Sequence, residues 1–177
     1  MDKDLVARLD REAAQLWEFH DPTQKPCWAW LAGIIDGEGC IDISLGQRKV
    51  KGHRTLLHQV RVVIQMTHKP TIQKVRQLTN VGSIRSVPRK PPQRNTWSWK
   101  ATGARQVSAV LRLCLPWLVT KREEALIALA FAEMLRLSDD RFKTVTPQAL
   151  AGRQALASAI RIVRKAESVG SQQGQRL

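Results

Sequence analysis

At 177 residues the chain has the length of one domain, and 43% apolar residues suffice for a sizeable core. Its 29 Lys and Arg against 15 Asp and Glu give a formal net charge of +14, which points to a polyanionic partner, either nucleic acid or an anionic membrane surface. No apolar run is long enough to span a membrane, and the acid-rich start MDKDLVARLDRE looks like neither a secretory signal nor a transit peptide. The expected location is therefore the compartment where the chain is made, a bacterial cytoplasm or an organelle interior.

The charge is segregated. Residues 1–40 carry 4 basic and 8 acidic side chains, residues 41–100 carry 13 and 1, and residues 101–177 carry 12 and 6. The middle third is thus the expected anion-facing surface. Cys27, Cys40 and Cys114 are scattered, form no CxxC pair and sit near no histidine at metal-ligand spacing, so reduced, unpaired thiols are expected.

In chain order, Leu5, Leu9, Ala13 and Leu16 fall on one helical stripe over 4–18. The segment DPTQKP breaks that helix, and Pro26 suits the start of the next, an apolar helix over 27–37. After Gly39 the period changes. Ile41, Ile43 and Leu45 alternate with Asp42, Ser44 and Gly46, as in a strand. A basic tip follows over 47–54. A second strand over 56–67 puts Val60, Val62, Ile64 and Met66 on one face and Gln59, Arg61, Val63, Gln65 and Thr67 on the other. Pro70 opens a helix over 70–79, closed by Asn80-Val81-Gly82. The pattern then recurs: a strand over 83–87, a basic tip over 88–94, a strand over 95–100 and a helix over 103–114. Trp97 and Trp99 share one face of that last strand, and we read them as core rather than as base-stacking rings. The other tryptophans, Trp17, Trp28, Trp30 and Trp117, also read as packing. Helices are expected over 121–137 and from Pro147 to about Glu167, with Thr146 as N-cap. The domain reading is an N-terminal helical extension over 1–25, a main domain over 26–167 and a disordered tail over 168–177.

Residues 31–39 read Leu-Ala-Gly-Ile-Ile-Asp-Gly-Glu-Gly. Ala29, Gly33 and Gly37 are spaced four apart on one helical face with Ala32 beside them, and small residues in such a row allow two helix backbones to approach closely. Only one such helix is present, so its partner would come from a second chain in a symmetric dimer.

This nine-residue segment resembles the signature of the LAGLIDADG homing endonucleases. Six positions match that name letter for letter; Ile34, Gly37 and Glu38 are tolerated substitutions. The order helix–hairpin–helix–hairpin–helix over roughly 26–135 fits the same family. The resemblance implies an α+β fold, the αββαββα saddle, with a four-stranded antiparallel sheet carrying its helices on one face. It implies a homodimer of the single-motif type, joined through Ala29, Ala32, Gly33 and Gly37. It implies Glu38, the eighth motif residue, as ligand to a divalent cation, Mg²⁺, with the Gly37 carbonyl as a further ligand. Asp36 is assigned helix-end contacts. Lys121, after Leu-Pro-Trp-Leu-Val-Thr, would face the scissile phosphate, and His68 falls where the family has an active-site polar residue, familiarly a glutamine.

The sheet face away from the helices would lie in the major groove of double-stranded DNA. Strand parity nominates Asp42, Ser44, Gln59, Arg61 and Gln65 from the first hairpin and Ser83, Arg85, Ser98 and Lys100 from the second. The tip residues Arg48, Lys49, Lys51, Arg54, Arg89, Lys90 and Arg94 would hold phosphates. The function implied is Mg²⁺-dependent double-strand cleavage of a long, roughly palindromic site, promoting intron mobility. The alternatives on the same scaffold are a non-catalytic maturase binding the intron RNA and a DNA-binding regulator without chemistry. Charges carried on strands and tips, rather than on one amphipathic helix, argue against a membrane surface.

Overall fold

The computed structural model describes residues 3–18, 23, 25–50, 53–137 and 146–173, without the side chains of 16–18, 47–50, 53–57 and 167–173. Among the described residues six helices and a four-stranded sheet follow in this order: α1 Lys3–Glu18, α2 Lys25–Glu38, β1 Gly39–Val50, β2 His53–Met66, α3 Lys69–Thr79, β3 Ser83–Val87, β4 Thr96–Thr102, α4 Ala104–Cys114, α5 Arg122–Leu137 and α6 Pro147–Gln173, with a 3-10 turn at Leu115–Trp117 between α4 and α5. The sheet order is β1-β2-β4-β3, and every neighbouring pair is antiparallel. Each hairpin therefore keeps its own strands together and the second strands of the two hairpins meet in the middle.

Period-two alternation sorts the strand residues. Ile41, Ile43, Val60, Val62, Ile64, Trp99 and Ala101 are all buried on the helix side, which is what one apolar face per strand requires of a sheet covered on one side. Trp99 is fully buried and its indole N–H donates to the Val81 carbonyl at 2.9 Å, so the ring is core with its one polar atom satisfied. Trp97 is partly buried, with Lys69 Nζ 4.3 Å from its ring centroid. Two glycines are fixed by close approach. A Cβ on Gly39 would lie 2.6 Å from the Ile35 carbonyl oxygen, so the chain can turn from the last turn of α2 directly into β1 only without a side chain there. At Gly82, with φ 83°, a Cβ would meet the Trp99 indole nitrogen at 2.6 Å.

Helix α5 is buried from Glu124 through Ala132, the signature of a helix covered on all sides. It packs against α4, α6 and the sheet, and α1 packs on α4 and the 3-10 turn. Leu9 and Ala13 of α1 belong to the common core, so the N-terminal helix is part of the same packed body rather than an appendage. The side chain of Leu16, expected on that stripe, lies outside the described residues.

Two boundaries differ clearly from the sequence expectation. The first basic tip is mostly ladder: β1 and β2 pair from Gly39↔Ile64 out to Val50↔His53, because hydrogen bonding continues past the point where apolar alternation stops. Helix α6 continues to Gln173, six residues beyond Glu167 and into the segment expected to be disordered; residues 174–177 lie outside the described residues. Thiols Cys27, Cys40 and Cys114 are free; Cys114 is fully buried, and burial, aided by the nearby Asp36 charge, pushes its pKa upward. No helix among the described residues is long and apolar enough to cross a membrane.

Candidate active site and nucleic-acid face

The C-terminal end of α2 gathers the motif's polar residues. Asp36 turns back onto the loop before α5: the Val119 N–H donates to its Oδ2 at 2.8 Å and the Lys121 N–H to its Oδ1 at 2.9 Å. Burial raises the Asp36 pKa, but the N–H groups of Val119, Lys121 and Thr120 and the Thr120 hydroxyl outweigh burial, and the net shift is downward. An anion bound by several N–H groups is held in its charged form. The Lys121 ammonium in turn donates to the Asp36 main-chain carbonyl. That carbonyl is one of the four a helix C-terminus leaves without a partner, and a cation there is favoured by the helix dipole. Asp36 thus makes the helix-end contacts expected of it. Its side chain grips the loop while its backbone holds the ammonium that loop carries.

Glu38, the last residue of α2, is exposed. A carboxylate there opposes the dipole, and among the described residues it has no hydrogen bond or ion pair. Lys121 and Glu38 are brought to the same helix end although 83 residues separate them in sequence. His68 reaches the same end of the sheet by a different route. Gly39 pairs with Ile64, and β2 ends at Met66, so His68 lies just beyond the strand edge that Glu38 adjoins. There it is the N-cap of α3, exposed, with Nδ1 2.8 Å from the Thr71 hydroxyl.

Among the described residues no three His, Cys, Asp or Glu side chains form a metal-binding group. One exposed carboxylate and one adjacent backbone carbonyl are nonetheless hard oxygen donors. They suit Mg²⁺, which keeps several waters and commonly uses one or two carboxylates together with substrate phosphates.

The exposed side of α2 is bare. Gly33 and Gly37 are exposed, and a Cβ on either would meet nothing within 4 Å; Ala29 is half-buried. Ala32 is a correction. It is fully buried with Trp28, Leu31 and Ile35, because position 32 lies one turn after Trp28 on the stripe that faces the chain's own core. It belongs to the core and not to the expected dimer face.

The outer sheet face carries the nominated residues in rows across the strands. Asp42 pairs with Arg61 and Arg61 with Thr102; Gln65 pairs with Ser98 and Ser98 with Arg85; Lys100 lies between Val63 and Ser83; Ser44 faces Gln59. Ser83 and Arg85 are exposed and the others half-buried. Arg61 is held by Asp42, with Nε at 2.8 Å and Nη2 at 2.6 Å from Oδ2. Gln65 Nε2 donates to the Thr96 hydroxyl at 2.8 Å. At the second tip Arg89, Lys90 and Arg94 are exposed, and the Arg89 N–H donates to Asn95 Oδ1 at 2.9 Å. Lys51 and the side chains of Arg48, Lys49 and Arg54 lie outside the described residues.

Cys40, Val63, Thr96 and Thr102 share this outer face. Strand parity places Val63 there, whereas Cys40 and Thr102 lie beyond the strand ends expected from the sequence. Sequence reading also missed the clasp that fixes α6 against the sheet. Arg164 donates to the Ile41 carbonyl of the edge strand and to the buried Glu124 at 3.2 Å. Arg153 Nη1 lies 2.7 Å from His58 Nδ1, and burial followed by the Arg153 charge lowers the His58 pKa, which keeps that ring nitrogen available as an acceptor. No local pattern announces pairs 40 to 123 residues apart.

The topology is the fold of the LAGLIDADG homing endonucleases, and the segment over residues 31–39 resembles their signature. No family model matches the sequence. Among individual proteins it is similar to the DNA endonuclease I-CvuI of Chlorella vulgaris, with 27% identity over 128 residues covering 69% of this chain and 71% of that protein. The fold matches I-CvuI crystallised with its DNA target in the presence of calcium, at TM-score 0.66 and 21% identity over 81% of this chain and 85% of that one. It also matches the archaeal intron-encoded homing endonuclease I-Vdi141I in complex with DNA, at TM-score 0.61 and 17% identity over 77% of this chain and 82% of the other. The LAGLIDADG homing endonuclease I-SmaMI bound to cleaved DNA matches at TM-score 0.59 and 15% identity over 73% of this chain but only 42% of its own length.

Proposed function

We propose that the chain is one subunit of a homodimeric, site-specific DNA endonuclease that makes double-strand breaks in a long, roughly palindromic target. The observation that carries this reading is the presence of both Glu38 and Lys121 at one end of α2, beside a helix face of glycines left bare by the chain's own packing. One chain supplies one such carboxylate; breaking two strands asks for two, and a second copy across the Gly33–Gly37 face supplies the other. The relation to I-SmaMI, in which this chain spans less than half of the longer protein, supports the same count.

In this reading the outer sheet face enters the major groove, wide enough for a two-stranded ribbon, and the second tip engages flanking phosphates. Glu38, with the Gly37 carbonyl, would hold Mg²⁺, which when bound would supply activation of a water and neutralisation of charge at the scissile phosphate. Lys121 stabilises the charge that develops on that phosphate. Asp36 fixes where Lys121 sits, since its carboxylate orders the loop and its carbonyl receives the ammonium. His68, already engaged with Thr71, orients polar groups or water at the rim. Intron mobility is the biological outcome that such a break would start.

The test is selection of cleaved sites from a randomised duplex library with Mg²⁺ present. A recovered site with twofold character, and its loss with Glu38→Gln in a protein that still dimerises, is the expected result. Cutting at the wild-type rate by Glu38→Gln would remove the proposed active site. Binding of intron RNA with no cutting of any duplex would favour the maturase role.

A further inference from the structure

Asp42 is the single carboxylate in the four strands. It projects from the outer face, in the row between Ser44 and Cys40, directly across from Arg61. On a surface that meets phosphates an acid lowers affinity for every DNA sequence alike, and a part-exposed cross-strand ion pair adds little to folding. The geometry of the pair gives the acid another use. Arg61 approaches side-on: Nε and Nη2 both reach Asp42 Oδ2, at 2.8 and 2.6 Å. A guanidinium has five N–H groups arranged in two forks. The side-on fork is spent on Asp42, and the end-on fork, Nη1 with the second hydrogen of Nη2, has no partner among the described residues. The Arg61 side chain remains 37% exposed and that of Asp42 19%, so the anchor is the more buried member and the free fork the more open one.

We propose that Asp42 is a positioning residue that locks Arg61 so that its end-on fork reads one guanine through O6 and N7 in each half of the DNA target. The inference rests on the DNA-reading role of the outer face proposed above. Guanine alone presents two neighbouring acceptors in the major groove, and a planar fork matches them bidentately. An arginine on a flexible stem could also swing to a phosphate. One tethered by its side-on fork keeps its direction and loses less freedom on binding. Asp42 therefore lowers general affinity and raises selectivity for one base pair.

The experiment selects bound, uncleaved duplexes from a randomised library with the full-length protein, comparing the wild type with Asp42→Asn and Arg61→Lys. The wild type is expected to fix guanine at one position in each half-site. Both variants should lose about tenfold or more of the preference at that position and leave the other positions intact. A merely structural ion pair would change affinity or stability without singling out a base. A second measurement needs no variant: 7-deazaguanine at the selected position, which removes the N7 acceptor, should weaken wild-type binding about tenfold. Variants that leave the profile unchanged, or that alter different positions from one another, overturn the proposal, as does indifference to 7-deazaguanine. A wild type that binds duplexes but fixes no base overturns this inference alone; one that binds no duplex removes the endonuclease reading as well.

Discussion

The helical layer and the outer sheet face are both rich in arginine and lysine, but they treat those charges in opposite ways. In the helical layer several cations are spent internally. Arg112 binds Glu12 at 2.6 Å and lies 3.8 Å from Glu133, Arg122 binds Asp10 at 2.6 Å, and Arg164 binds Glu124. On the sheet and its second tip, Arg85, Lys100, Arg89, Lys90 and Arg94 have no carboxylate partner among the described residues, and Asp42 alone opposes Arg61. The acidic N-terminal helix, which the sequence left without a role, supplies two of the internal partners. The sheet face thus leaves its positive charge open, whereas the helical layer offsets several of its cations with carboxylates of its own.

The largest break in that contrast is expected at the junction of the two regions, the end of α2. Glu38→Gln should reduce cleavage on the order of a thousandfold or more, as for removal of a group on which the chemistry depends, while binding measured with Ca²⁺ in place of Mg²⁺ persists. Gly33→Leu comes next. The single chain has open space for the side chain, so its fold should survive, as checked by circular dichroism, while sedimentation shows monomers and double-strand cutting falls with the dimer. A folded variant that remains fully dimeric would place the subunit contact elsewhere.

A smaller and more diagnostic effect separates the two sets of cations. Arg89→Ala or Arg94→Ala, at the exposed tip of the sheet, should weaken DNA binding and lower the slope of affinity against salt by about one, with stability changed by less than about 0.5 kcal/mol. Arg112→Ala should do the reverse, lowering stability by about 1 kcal/mol in denaturant titrations with no change in the salt slope. Equal salt slopes for the sheet variants and Arg112→Ala would erase the distinction. The smallest effect concerns acid. Because the folded Asp36 pKa is below its ordinary value of 3.8, its contribution is fully present above that value and is lost as pH falls below it towards the folded pKa. Asp36→Asn should therefore lower stability at neutral pH and flatten the dependence below about pH 4, measured by thermal unfolding across that range.

Much of the architecture could be read from residues alone because it rests on local periodicity. Ile41, Ile43, Val60, Val62 and Ile64 announce an inner face two residues apart, and the same parity placed Asp42, Arg61, Ser98 and Lys100 outside. Asn80, with φ 50°, and Gly82 ended α3 and began the second hairpin as turn residues do. Ala32 shows where that reasoning stops. A small residue is compatible both with a helix–helix contact and with a tight core, and only the buried neighbours Trp28 and Ile35 decide between them. The first tip shows the same limit: backbone ladders extend without any side-chain pattern to mark them.

The order of elements, the faces of the strands, the motif with Asp36 and Glu38 and the basic middle third are all legible from residues alone, since each is encoded within a few positions by period, turn chemistry or charge. Tertiary structure alone decided that Lys121 rests on the Asp36 carbonyl, that Arg164 caps the edge strand at Ile41, that α1 neutralises Arg112 and Arg122, and that Asp42 occupies one fork of Arg61. These are contacts across long separations. Their partners are chosen by which surfaces the packed core brings within hydrogen-bond distance, and no local run of residues carries that information.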